Sequence, residues 1–336
     1  MELDLILEPD LRPEEIRELG LLAEGYGFRA LWAQNYARAR DAFLSLVPLA
    51  MASERIRCGV VVVSPYEMHP LKIANAILTL NEYAGGRSCI VIGAGGEWNG
   101  VMGMGYGKRV TTAREALEIV RRAIGGERFD YQGEVFRAYG FNAAWHDAPP
   151  PQIYAGATGE RLLRNAARLA DGTMMSDVQL PMAPSHLAVL RDALAGAGRD
   201  PGDFRVNNFI AWHIKEDAEA SFAEARRELI IRGWLERPWL EPFLEPDEVE
   251  LVERNKGAFL KAFRERHGEI EGLPSETVHK LVEGLSCAGD LSSLDRQIDK
   301  LRRFGELGFT EIALRLHDDP ADSIRLIGER VLPALR

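Results

Sequence analysis

Gly156-Ala157-Thr158-Gly159-Glu160-Arg161 is the stretch of this chain whose residue types point most directly to chemistry. Small residues that turn a strand into a helix expose backbone N–H groups at the positive end of the helix, which suits an anion. Arg161 adds a charged fork that a phosphate accepts. The same run also reads as an ordinary tight strand-to-helix turn, because GxxG spacing alone is weak. Gly93-Ala94-Gly95-Gly96 shares the ambiguity: its glycines look dinucleotide-like but lack the surroundings of a Rossmann fingerprint. Polar residues also end several apolar runs: Gln34 and Asn35, Ser64, Glu97 and Asn99, Ser176 and Asp177, His213, and His317. Each has a structural reading beside a catalytic one. A strand-end histidine either supports by hydrogen bonding or moves a proton. Asp177 would cap a turn. Glu97, in a glycine-rich loop, is either a solvated acid or a proton carrier.

The elements that must hold these residues are legible around Arg57–Pro70. Four consecutive valines, Val60 to Val63, favour a strand, because branched side chains pack well on a pleated surface. Apolar residues on both faces suit a buried parallel strand. Ser64-Pro65 stops it, since proline cannot donate to the ladder. A helix follows from His69-Pro70, then a second apolar run at Cys89–Ile92, which makes a βαβ unit. The pattern recurs along the chain. Strands are expected at 3–7, 28–33, 56–63, 88–92, 153–155, 173–176, 206–214 and 311–316, each followed by a helix. Thr111-Thr112 would cap the helix after strand four. This is the (β/α)8 pattern of an α/β TIM barrel, whose active site lies at the C-terminal strand ends. Residues 1–336 read as one such domain with two insertions. A hairpin is expected at about 126–148, and a larger helical insertion after strand seven at about 231–285. Trp234, Trp239, Phe243 and Phe259 in the second would wall an apolar pocket or fill a core.

Composition narrows the classes. A net charge of −10 repels phosphate backbones, so no nucleic-acid partner is expected. The 3 cysteines are widely spaced, with no CxxC pair, disulfide framework or metal pattern. Residues 1–10, MELDLILEPD, lack the basic start of a signal peptide, and no run reaches the length of a membrane span. A cytoplasmic protein without a membrane partner is the expectation.

Taken in order, these residues resemble the bacterial-luciferase-like flavin and deazaflavin oxidoreductases. The nearest resemblance is to methylenetetrahydromethanopterin reductase and related coenzyme F420 enzymes. It runs through Ala23–Trp32, Arg40–Phe43, Arg55–Pro70, Gly85–Arg87, Ile92–Gly96, Ala113–Arg122 and Ala157–Gly172. The resemblance implies a flavin-type ring at the strand ends. It implies a cis non-proline peptide at Val61-Val62 that supports the ring. The cofactor phosphate would sit on Gly156, Ala157, Thr158, Gly159 and Arg161, the last standing where lysine is frequent. Ring contacts would come from Gln34, Val61, Val62, Ser64, Gly95 and Asn99. The family often has Asp-His where this chain has Gln34-Asn35. Asparagine cannot donate a proton near neutrality as imidazole can, so members using that histidine as a base are poor guides. Asn35, Glu97 and His317 are the candidates nearest the chemistry, with Glu97 or His317 handling a proton.

The resemblance implies hydride transfer between coenzyme F420 and a small organic substrate. An FMN-dependent monooxygenase using reduced flavin and oxygen is the first alternative, and a flavin-binding protein without turnover is the second. A homodimer is likewise implied by the family. A metal-dependent hydrolase is disfavoured, because no HxH or paired-carboxylate motif stands at the strand ends.

Overall fold

The computed structural model describes residues 1–336. Eight parallel strands close into a barrel: β1 (Glu2–Leu7), β2 (Ala30–Gln34), β3 (Arg57–Val63), β4 (Ser88–Gly93), β5 (Gln152–Gly156), β6 (Gly172–Ser176), β7 (Arg205–Trp212) and β8 (Glu311–Arg315). Closure runs through β6 to β7, β7 to β8 and β8 to β1. The strand-associated helices are α1 (Pro13–Tyr26), α2 (Ala42–Ala52), α3 (Pro70–Tyr83), α4 (Arg109–Ile124), α5 (Glu160–Leu169), α6 (Ala183–Gly196), α7 (Leu294–Leu307) and α8 (Pro320–Leu326). The expected (β/α)8 barrel is therefore what the chain forms.

The valine run shows why these segments are strands. Cys58, Val60 and Val63 join the core between strands and helices. Val61 and Val62 pack inside the barrel with Ile6, Trp32, Cys89, Val91 and Tyr154. Strands covered on both faces need apolar residues at nearly every position. The β3–β4 ladder shifts register between Val60 and Val63, and the Val61-Val62 peptide is cis, at the position the resemblance implies. Gly59 has no side chain because the Trp32 ring lies over it: an added Cβ would sit 2.2 Å from the indole.

Helix starts follow side-chain chemistry. Asp41 Oδ1 accepts from Leu44 N at 2.9 Å, and His69 Nδ1 accepts from Leu71 N at 3.2 Å. The expected Thr111-Thr112 cap is displaced. α4 begins at Arg109, after Lys108 with φ 50°, and Thr112 is buried inside the first turn, its Oγ1 bonded to the Gly107 carbonyl at 3.3 Å. Strand two also sits later than its apolar run, at Ala30–Gln34, which carries Gln34 into the sheet.

Two excursions leave the barrel. Phe129–Gln132 and Arg137–Phe141 form an antiparallel hairpin. The longer one begins with the helix Ala218–Arg227 rather than near residue 231, because Asp217 caps that helix and Ala225 already belongs to a separate hydrophobic cluster. That cluster of 14 buried residues includes Phe259, with Trp239 and Phe243 packed against it. Trp234 is 66 % exposed. The insertion aromatics thus divide: three build a second core and one faces solvent. The excursion returns through a short strand, Ser286–Cys287, which pairs with β7.

Candidate functional site

The barrel mouth gathers the candidate residues on neighbouring strand ends. Gln34 is buried, and its Nε2 donates to the Leu7 carbonyl at 2.9 Å, tying β2 to β1. Asn35 follows. Its backbone N–H meets the Val61 carbonyl at 2.8 Å, and its Nδ2 donates to the Val62 carbonyl at 3.2 Å. The same amide donates to Glu67 Oε1 at 2.5 Å, and Ser64 N–H reaches that oxygen at 3.0 Å. Glu67 lies past the Ser64-Pro65 stop, outside the strand-end positions that the sequence marks. Its three-residue spacing from Ser64 is the signal that would have found it. Burial pushes the Glu67 carboxyl up to about 7, against the opposing pull of Ser64 N–H and the Asn35 amide.

Beside this group, Gly93 of β4 and Gly156 of β5 lie in register. A Cβ on Gly93 would stand 2.7 Å from Val62 Cγ2, and one on Gly156 would stand 3.4 Å from the same atom. The two glycines and Val62 therefore frame a cradle that side chains would fill. From Gly156 the chain turns into α5. Ala157 N–H bonds to the Met174 carbonyl at 3.3 Å, whereas the N–H groups of Thr158, Gly159, Glu160 and Arg161 have no partner in the chain. Gly159 is the N-cap and no side chain caps the helix. Arg161 is exposed and forms no ion pair. These are the features of an open anion site.

The loop after β4 overhangs the same side. Asn99 is wholly buried, yet neither side-chain amide atom has a partner, and the Trp98 indole N–H is also unpartnered. Gly95 lies beneath Arg109, whose Nη2 is 3.5 Å from where its Cβ would be. Arg109 Nε donates to the Ala94 carbonyl at 3.1 Å, and the guanidinium covers the Tyr106 ring at 5.0 Å. Glu97 is exposed. Its Oε2 accepts from Ala37 N–H at 3.2 Å and its Oε1 is 3.8 Å from Arg38 Nε, so it clasps the loops after β2 and β4 together.

Across the mouth lies a charged wall. Glu8, just past β1, takes Arg315 Nε at 2.9 Å and Nη2 at 3.3 Å. Burial alone would raise the Glu8 carboxyl, but the Arg315 guanidinium holds it well below the usual range. His317 is buried. Its Nδ1 lies 2.8 Å from Glu8 Oε1 without hydrogen-bond alignment, and its Nε2 has no partner. Burial, the largest influence, drives His317 well below its usual pKa, so it is neutral. His213 stacks on it at 4.7 Å and bonds Glu224 at 2.7 Å. Ser176 Oγ donates to Asp177 Oδ2 at 2.9 Å, and Asp177 also accepts from Arg232 and from Gly233 N–H, both at 3.2 Å. Asp177, at φ 54°, thus pins the insertion to the mouth. Gln34, Asn35, Val61, Val62, Ser64, Gly93, Gly95, Asn99 and the Gly156–Arg161 turn occupy adjacent strand exits, β2 to β5. His317 stands apart, just past β8, beside Glu8 just past β1. Glu8, Glu67 and Arg109 are the additions to the residues read from sequence.

Comparison with known proteins agrees with this architecture. The chain is 28% identical to the 5,10-methylenetetrahydromethanopterin reductase of Archaeoglobus fulgidus over 346 residues, covering 100% of both. It is 25% identical to the F420-dependent glucose-6-phosphate dehydrogenase of Nakamurella multipartita, covering 96% of this chain and 93% of that protein. The structure of the coenzyme F420 dependent tetrahydromethanopterin reductase from Methanopyrus kandleri superposes with a TM-score of 0.82 at 22% identity, covering 100% of this chain and 99% of that one. The model of the luciferase-like monooxygenase family matches residues 4–311, and the chain belongs to that family.

Proposed function

We propose that this protein is an oxidoreductase that moves a hydride between coenzyme F420 and a small organic substrate. The observation that carries the reading is the junction of two features at one strand pair. The side-chain-free cradle at Gly93, Gly156 and Val62 adjoins an uncapped helix start with four free N–H groups and Arg161. A planar ring with a phosphate tail needs both. The orphaned Asn99 amide, in the loop after β4, is a donor and acceptor pair that a ligand would satisfy. F420-dependent relatives support the choice of deazaflavin.

When bound, the deazaflavin supplies the hydride chemistry; the chain binds, orients and shelters it. Gln34, Val61, Val62, Ser64, Gly95 and Asn99 would border the ring. Gly156, Ala157, Thr158, Gly159 and Arg161 would hold the phosphate. Asn35, neutral His317 and Glu97 are the proposed polar groups at the reacting side. Within a homodimer, α2 is the surface best suited to meet a partner. It has no charged residue, and it exposes Leu44 at 70 % and Met51 at 68 %. Sedimentation velocity separates that state from a monomer.

Equilibrium titration with F420 and with FMN, followed by fluorescence, tests the cofactor. Preferential binding of F420 at micromolar or tighter affinity is expected. Preference for FMN turns the assignment to monooxygenation, and binding of neither overturns it.

A further inference from the structure

The mouth lacks an obvious proton carrier among the residues suggested by sequence. Glu97 faces solvent and holds Ala37 N–H. His317 is sealed against Glu8 and neutral. Asn35 ends in an amide, which carries no exchangeable proton of useful acidity. Glu67 stands directly behind it. Its Oε1 takes two donors, the Asn35 amide and Ser64 N–H, which fix the carboxyl in place. Its Oε2 makes no hydrogen bond in the chain, so one oxygen is held and the other is free.

We infer that Glu67 is the proton-carrying side chain of this site, with Asn35 as its positioning residue, for a substrate whose reacting atom is a carbonyl oxygen, an imine nitrogen or the corresponding alcohol or amine. This rests on the hydride-transfer function proposed above. In the reducing direction the substrate carbon gains the hydride from reduced deazaflavin. The C=O or C=N π bond breaks, and its electron pair takes the proton from the Glu67 carboxyl. The carboxylate left behind is reprotonated from water. The oxidising direction reverses each transfer.

The surroundings suit the role. Glu67 forms no ion pair, so nothing locks it in the charged form. The charged groups on adjoining loops are turned elsewhere. Arg38 points to Glu97, Glu97 to the loop after β2, and His69 on the same loop as Glu67 caps α3 and meets Phe136. Partial burial without a counter-charge raises the carboxyl to about 7, so both protonation states are populated near neutrality. The raised value has a sign. The folded chain holds this proton more tightly than the unfolded chain does, so wild type loses stability relative to Glu67→Gln as pH rises from about 4.5 toward about 7.

The test is infrared titration of the protonated carboxyl band in wild type, Glu67→Gln and Asn35→Ala, without and with F420. Glutamine keeps an oxygen for Ser64 N–H and Asn35, so the fold is retained. A band that titrates near pH 7 in wild type and is missing in Glu67→Gln is expected. Its midpoint should rise in Asn35→Ala, because a bond that favours the carboxylate is lost. It should also move when F420 binds. Reduction of a panel of small ketones and imines by reduced F420 is then compared. Glu67→Gln should lower kcat/KM on any responsive member by roughly 100-fold or more and remove the limb near pH 7. A wild-type band titrating in the ordinary carboxylate range, or a midpoint unmoved by F420, overturns the assignment. So does a Glu67→Gln rate and pH profile equal to wild type. If wild type binds no F420, the proposed function fails with it. If wild type binds F420 and Glu67→Gln is silent, the role of Glu67 fails alone.

Discussion

The two ends of the barrel treat polar groups in opposite ways. At the N-terminal floor, Arg29 Nε donates to Asp4 Oδ1 at 2.8 Å, and its Nη2 is 3.1 Å from Glu311 Oε2. Trp32 Nε1 and Asn207 Nδ2 add bonds to Asp4 at 2.9 and 2.8 Å, and Tyr154 OH bonds Glu311 at 3.0 Å. Among these six side chains Asn207 Oδ1 alone lacks a partner. At the mouth, Asn99, Trp98, Trp212, Arg232 and His317 all keep buried polar atoms without partners. An unmatched buried group costs about 1–3 kcal/mol. Such groups are more numerous at the mouth than in the floor network. A matched network stabilises a barrel; an unmatched one marks the face that meets a ligand.

Breaking the floor should have the largest effect. Arg29→Met leaves Asp4 and Glu311 buried together without their cation, and a loss of about 3–5 kcal/mol in urea denaturation is expected. The deficit should shrink on acidification. Burial raises the Glu311 carboxyl above its usual value, so the folded state takes up a proton as pH falls toward the ordinary carboxylate range. A pH-independent deficit below 1 kcal/mol would mean that the floor is not a network.

At the mouth, Gly93→Ala drives a methyl to 2.7 Å from Val62 Cγ2. Overpacking of about 1–3 kcal/mol is expected, with a larger proportional loss of F420 affinity than of stability. Equal F420 affinity in this variant would remove the cradle from the site. The smallest effect belongs to Arg161→Ala. It should leave the melting temperature unchanged and weaken F420 binding by about 3- to 10-fold, less at high salt because the contact is exposed. Unchanged affinity at low salt would place the phosphate elsewhere.

The barrel was legible in the sequence because its signal is repetitive. Every strand from β1 to β8 is an apolar run followed by a helical period, and the valine run marks β3 without help. The Gly156–Arg161 turn was legible as a strand-to-helix junction, since its small residues separate an apolar run from a helical period. Glu67 was not legible. Its significance comes from an amide on another strand, Asn35, and from burial that only closure of the barrel creates. Glu8 was hidden in the same way, since Arg315 lies 307 positions away along the chain. Thr111-Thr112 misled because a capping residue type says nothing about which turn tertiary packing will choose.

The excursion from Ala218 to Leu285 carries its own buried cluster and reaches the mouth through Arg232 and Gly233 on Asp177. A segment that packs mainly on itself can be exchanged as a cassette. Its interior can drift without disturbing the eight strands, while the Asp177 tether keeps whatever wall it presents in place. Descendants of one barrel could in this way acquire new substrates by rewriting the cassette, and a designer could graft one between Trp212 and Ser286 by preserving the contacts that Glu224, Arg227 and Arg232 make with His213, Asp318 and Asp177.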